Sequence, residues 1–87
     1  VRESGLSAIL DPPREGLGDD FPKIAAALET SGVDELVLVG CDPDTWARDL
    51  SRLLKRDWRT HGLAIFDFFP QTWHVESVAA LRRSVYP

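Results

Sequence analysis

Asp11, Cys41 and Glu76 are the residues of this 87-residue chain that could do chemistry together. Cys41 is the only cysteine. As a thiolate it would be a nucleophile, and a carboxylate can take or hold a proton. A carboxylate, a thiol and a second carboxylate on one rim would make an active site. Each also has a plainer reading. A lone cysteine in a small domain commonly serves as a small buried hydrophobe. Asp11 could cap the turn through Pro12-Pro13, and Glu76 could flank a strand at the surface. The place of Cys41 ahead of a helix N-terminus favours the thiolate, whereas Asp42 and Asp44 oppose it, so the sequence leaves its net pKa open.

The elements that would bring the three together can be read from pattern. Leu36-Val37-Leu38-Val39 is an apolar run expected to be a strand covered on both faces. Gly40-Cys41 turns out of it. Asp42 fits an N-cap and Pro43 the first helical position, with Trp46, Leu50, Leu53 and Leu54 following at helical spacing. Upstream, residues 6–10 read as a buried strand stopped by Asp11-Pro12-Pro13. A helix over 21–31 follows, with Asp20 as its cap, Phe21, Ile24, Ala25 and Leu28 on one face, and Ser31-Gly32 as its stop. Residues 59–68 read as a third strand, with His61 exposed in a turn before Gly62. Pro70-Gln71-Thr72 break that strand, and Val75–Arg82 reads as an antiparallel return. The order is strand–helix–strand–helix–strand–strand. The first two strands are expected parallel through a right-handed crossover. The third should run parallel to the second, which sets Asp11, Cys41 and the loop 69–76 on one carboxyl edge, where open α/β sheets bind ligands.

Composition narrows the function. The length allows one small domain, and no apolar run approaches the roughly 18 residues of a membrane helix. No signal peptide is evident, and the start on Val1-Arg2-Glu3-Ser4, without Met, reads as the interior of a longer protein. One cysteine excludes an internal disulfide and fits a reducing cytoplasm. Cys41, His61 and His74 have no metal-ligand spacing. A net charge of −4 argues against a basic nucleic-acid grip built by this stretch itself. Arg48, Arg52, Lys55, Arg56 and Arg59 read as a solvated helix face, in preference to a phosphate surface. Trp46 reads as core, and Trp73 in the rim loop is the better candidate for stacking on a base.

Three stretches carry a resemblance: Asp11-Pro12-Pro13-Arg14-Glu15-Gly16-Leu17; Val39-Gly40-Cys41-Asp42-Pro43-Asp44-Thr45-Trp46-Ala47-Arg48-Asp49-Leu50; and Phe66-Asp67-Phe68-Phe69-Pro70-Gln71-Thr72-Trp73-His74-Val75-Glu76. In this order and spacing they resemble the C-terminal signatures of the RNA uracil-5-methyltransferases, which make 5-methyluridine in rRNA or tRNA from S-adenosylmethionine. The resemblance implies that Cys41 is the nucleophile, Glu76 the general base, and Asp11 the aspartate at the crevice for target base and cofactor. Two departures stand out. The family often has Ser-Cys-Asn-Pro where this chain has Gly40-Cys41-Asp42-Pro43, and Trp73 stands where a smaller or polar residue is usual.

The implied fold is α/β, the C-terminal half of a class I (Rossmann-like) S-adenosylmethionine-dependent methyltransferase sheet with its last strand antiparallel. In such folds the first three strands and a Gly-rich turn hold most of the cofactor, and neither is found in this sequence. Residues 1–87 are therefore expected to be the C-terminal part of a catalytic domain, with the cofactor-binding half outside them. The expected partner of the whole protein is RNA, with no membrane. The 87 residues by themselves are expected to be inactive, and to form a homodimer through the unpaired edge of the first strand.

Overall fold

The chain lays down a half-sheet with both helices on one side. The computed structural model describes residues 6–66 and 76–83. β1 (Ser7–Leu10) pairs in parallel with β2 (Glu35–Gly40) across α1 (Phe21–Thr30), as the crossover predicts. α2 (Pro43–Leu54) leads to β3 (Trp58–Phe66), and β4 (Glu76–Arg83) closes the sheet in the order β1-β2-β4-β3. β4 lies antiparallel between β2 and β3, so β3 does run parallel to β2, one strand away from it. The expected α/β order with an antiparallel last strand is the one found.

Local chemistry explains the element ends. α1 stops where Gly32 takes a φ of +77°. The Val33 N–H then donates to Leu28 O at 3.2 Å and the Gly32 N–H to Glu29 O at 3.4 Å, which satisfies the last carbonyls. At the other end of α1, Asp20 is the N-cap residue, but its carboxylate accepts no capping bond. The short 3-10 turn Gly18–Asp20 runs straight into the helix and holds Asp20 at φ −81°, ψ −6°, whereas a capping side chain needs an extended backbone. His61, expected in a turn, lies within β3 at a bulge between Thr60 and Gly62.

One core holds the layers together. Phe21, Ala25 and Leu28 of α1 and Leu53 of α2 pack on Leu36, Leu38, Ala79 and Leu81 of the sheet, with Trp58 at the start of β3. Each fully buried Leu contributes about 1.5–3 kcal/mol. The expectation that β2 is covered on both faces is not met among the described residues. Leu36 and Leu38 are fully buried, but Val37 and Val39 are only half-buried, because both helices lie on the other face. Ile9 in β1 is 72% exposed on that bare side. The stripe of α2 also differs from expectation: Leu54 is partly exposed, and Asp49 is buried in the stripe between Trp46 and Leu53.

Candidate active site

Cys41 is carried by a strand end that is locked to the helix after it. The Asp42 carboxylate accepts from the Asp44 N–H at 2.9 Å, Pro43 occupies the first helical turn, and the Trp46 N–H donates to Asp42 O at 3.0 Å. The Trp46 indole Nε1 donates to Leu38 O at 3.1 Å, which ties α2 back onto β2. Close packing of Gly40 completes the joint: a Cβ there would lie 2.8 Å from Trp46 Cβ. Cys41 itself is half-buried and unbridged.

The strand register gathers the residues predicted from sequence. Gly40, the last residue of β2, pairs with Ser77, so Cys41 and Glu76 each stand one residue beyond the last pair of β2 and β4. Glu76 begins β4, instead of lying in the preceding loop, and pairs on its other side with Phe66 at the end of β3. Alternation puts Ser77 on the helix-covered face and therefore Glu76 on the bare one. Asp11 follows Leu10, which pairs with Leu38, so it stands exposed on the same carboxyl edge, about two strand spacings (~10 Å) from the Glu76 strand. Cys41 leaves the strand between them. Trp73 lies outside the described residues.

The loop that follows Asp11 is laced to α2. The Gly16 N–H donates to Pro13 O at 2.8 Å and closes a turn. The Thr45 hydroxyl donates to Arg14 O at 2.8 Å, Arg48 Nη2 to Glu15 O at 2.8 Å, and Arg52 Nη1 to Gly18 O at 2.9 Å. Buried Asp49 accepts from the Leu17 N–H at 2.9 Å. Arg14 Nε reaches back to within 3.9 Å of Asp42 Oδ2, so the residue after the thiol has a cation beside it. The arginines expected on one helix face are thus fasteners, and not all lie on the helix: Arg56 follows the end of α2 and pairs with Glu29 at 3.0 Å, and Arg59 lies in β3 and donates to Trp58 O at 3.1 Å. Sequence reading passed over Asp49. The available signal was its spacing, three residues after Trp46 and four before Leu53, which puts a carboxylate on the buried face.

Comparison with known proteins defines the class first. The chain superposes with a TM-score of 0.71 and 38% identity on the Pyrococcus abyssi tRNA (uracil-54, C5)-methyltransferase, crystallised in complex with S-adenosyl-L-homocysteine, over 91% of this chain and 18% of that one. The fold is therefore that of part of the α/β sheet of an S-adenosylmethionine-dependent methyltransferase. Residues 5–84 match the tRNA (uracil-5-)-methyltransferase family, and the chain belongs to it. It is 44% identical over 82 residues to the 23S rRNA (uracil(1939)-C(5))-methyltransferase RlmD of Pseudomonas fluorescens. It is 39% identical over 75 residues to the 23S rRNA (uracil(747)-C(5))-methyltransferase of Pyrococcus furiosus. Those matches take in 93% and 86% of this chain but only 17% of either relative, so it spans under a fifth of their length. Among the described residues no helix is long and apolar enough to cross a membrane.

Proposed function

We propose that this chain supplies the nucleophile and the base of an S-adenosylmethionine-dependent RNA (uracil-5-)-methyltransferase, with the cofactor and the RNA gripped mainly by other elements of that enzyme. What supports the reading is the register that ends β2 at Gly40 beside Ser77, one residue from Cys41 and from Glu76, on an edge shared with Asp11. The cleft beside Asp11 fits part of the cofactor. It has a volume of about 320 Å³, apolar walls from Leu10, Pro12, Leu17 and Ile24, and the carboxylates of Asp11 and Asp20 as acceptors, a lining suited to a ligand with apolar and cationic parts. S-adenosylmethionine supplies an electrophilic methyl group when bound.

The residues then have separate tasks. C5 of uracil is a weak nucleophile. Addition of the Cys41 thiolate to C6 forms an S–C6 bond and pushes the ring electrons into an enolate, which makes C5 nucleophilic. Once C5 carries the methyl group it still holds its proton. The Glu76 carboxylate accepts that proton, the C5=C6 bond re-forms, and Cys41 leaves as thiolate. Asp11 bounds the base on the β1 side, and Trp73 offers a stacking surface for RNA. The target uridine, in rRNA or tRNA, has to be swung out of its stack to reach the rim. A single free thiol is compatible with work in a reducing cytoplasm.

Trapping on 5-fluorouridine RNA tests the reading in the protein that carries this chain. Fluorine at C5 cannot be removed as a proton, so the covalent adduct persists on a denaturing gel when cofactor is present. Cys41→Ala is expected to abolish the adduct. Glu76→Gln is expected to accumulate an adduct on ordinary uridine, because release is blocked after methyl transfer. Wild-type methylation by Cys41→Ala would overturn the assignment.

A further inference from the structure

We infer that Asp49 is a positioning residue, which sets the Asp11 loop against the Cys41 turn and thereby fixes the width of the site. This rests on the roles given to Cys41 and Asp11 above. Asp49 is fully buried, on a helix whose other polar residues at this face point at the same loop. Its Oδ2 accepts the Leu17 N–H at 2.9 Å, while Oδ1, among the described residues, has no hydrogen-bond partner and only Arg48 Nε at 3.7 Å. A buried, half-satisfied carboxylate costs stability, so its place in an otherwise apolar stripe calls for another role.

The loop side is shaped to receive it. Gly16 has a φ of +81°, and a Cβ there would lie 2.7 Å from Asp49 Oδ2 and 2.9 Å from Arg48 Nη2. Only glycine meets both demands, the positive φ and the close approach. From this anchor the constraint reaches the rim by a short rigid path. The Gly16 N–H to Pro13 O bond closes the turn, and Pro12-Pro13 have φ locked by their rings, so pinning residues 13–17 fixes how Asp11 leaves β1. On the other side, Asp49 belongs to the helix whose first turn is welded to Cys41 through Asp42 and Trp46. One residue thus couples the two walls between which a base would sit.

The test compares Asp49→Ala, Asp49→Asn and Gly16→Ala in the full-length protein. Hydrogen exchange of residues 12–18 reads the latch, and 5-fluorouridine adduct formation at saturating RNA reads the site. Asp49→Ala is expected to raise exchange in 12–18 and to slow adduct formation by about tenfold to a hundredfold, the loss typical of a displacement on the 1 Å scale. The KM for RNA should stay within about threefold, since the grip lies elsewhere. Asp49→Asn keeps an acceptor for the Leu17 N–H and should restore most of the rate. Gly16→Ala attacks the same contact from the loop side with the α2 sequence unchanged, and should repeat the Asp49→Ala kinetics even if Asp49→Ala itself folds poorly. A loosened loop with an unchanged adduct rate would overturn the inference, as would a loss spread over the whole chain in Asp49→Asn. Absence of any adduct in the wild-type protein would instead overturn the proposed function, and the exchange data would still report on the latch.

Discussion

Replacement of Gly40 by alanine tests the joint that presents Cys41. The new Cβ would stand 2.8, 2.9 and 3.2 Å from Cβ, Cδ1 and Cγ of Trp46, whereas ordinary contact begins at 3.4 Å. Trp46 would have to retreat by 3.4 − 2.8 = 0.6 Å. Its Cβ moves only with the α2 backbone, so the first turn of the helix must shift as well. A retreat of that size stretches the bond from Trp46 Nε1 to Leu38 O, 3.1 Å at present, to the limit of hydrogen bonding. Overpacking of this kind costs about 1–3 kcal/mol and the lost bond about 1 kcal/mol. Removing a glycine from the unfolded chain offsets about 0.4–1 kcal/mol. The net loss is about 1–3 kcal/mol. Equilibrium urea unfolding of the wild-type protein, Gly40→Ala, Trp46→Ala and the double variant measures it. Trp46→Ala removes two of the three close atoms and the hydrogen bond, so Gly40→Ala should cost about 1 kcal/mol less in that background. Stability of Gly40→Ala within about 0.5 kcal/mol of wild type, or an equal loss in both backgrounds, would refute the packing reasoning.

The Glu29–Arg56 pair should shape the acid limb of stability. The hydrogen bond from Arg56 holds the Glu29 carboxyl below its ordinary 4.5, partly opposed by desolvation. A lowered folded value means stability that is fully present above pH 4.5 and is lost as pH falls through the lowered value. Glu29→Gln should therefore lower the melting temperature slightly at neutral pH and match wild type in strong acid; a constant difference across that range would count against the linkage. The 87-residue chain by itself should be inactive and should self-associate through β1, which has a neighbour only in β2 among the described residues and exposes Ile9, with Leu6 exposed just before it. Light scattering that finds a stable monomer at high concentration would exclude this.

Most of the architecture was legible because its signals are local. Asp42-Pro43 announces the start of α2, Ser31-Gly32 the end of α1, and the apolar runs mark the strands. The strand order was not written in any one segment, since β4 inserts between β2 and β3 through long-range pairing. The same pairing sets Glu76 at the head of β4, beside the end of β2 that leads into Cys41. Asp49 escaped notice because a carboxylate in an apolar stripe looks like an interruption until the Leu17 N–H is seen to need it. Gly40, first noted as a departure from the family pattern, is required here by Trp46.

The arginines bear on how RNA can be held. Arg48, Arg52 and Arg56 looked like a solvated face, yet each is engaged: two with carbonyls of the loop after Asp11, the third with Glu29. A phosphate that captured Arg48 would take it from Glu15 O and from beside buried Asp49, whose Oδ1 has no other cation near it among the described residues. Binding at that face would then loosen the loop that the site depends on. Arg14 is similarly placed beside Asp42, where it offsets the negative charge next to the thiol. On a chain of net charge −4, these cations do structural work around the candidate site.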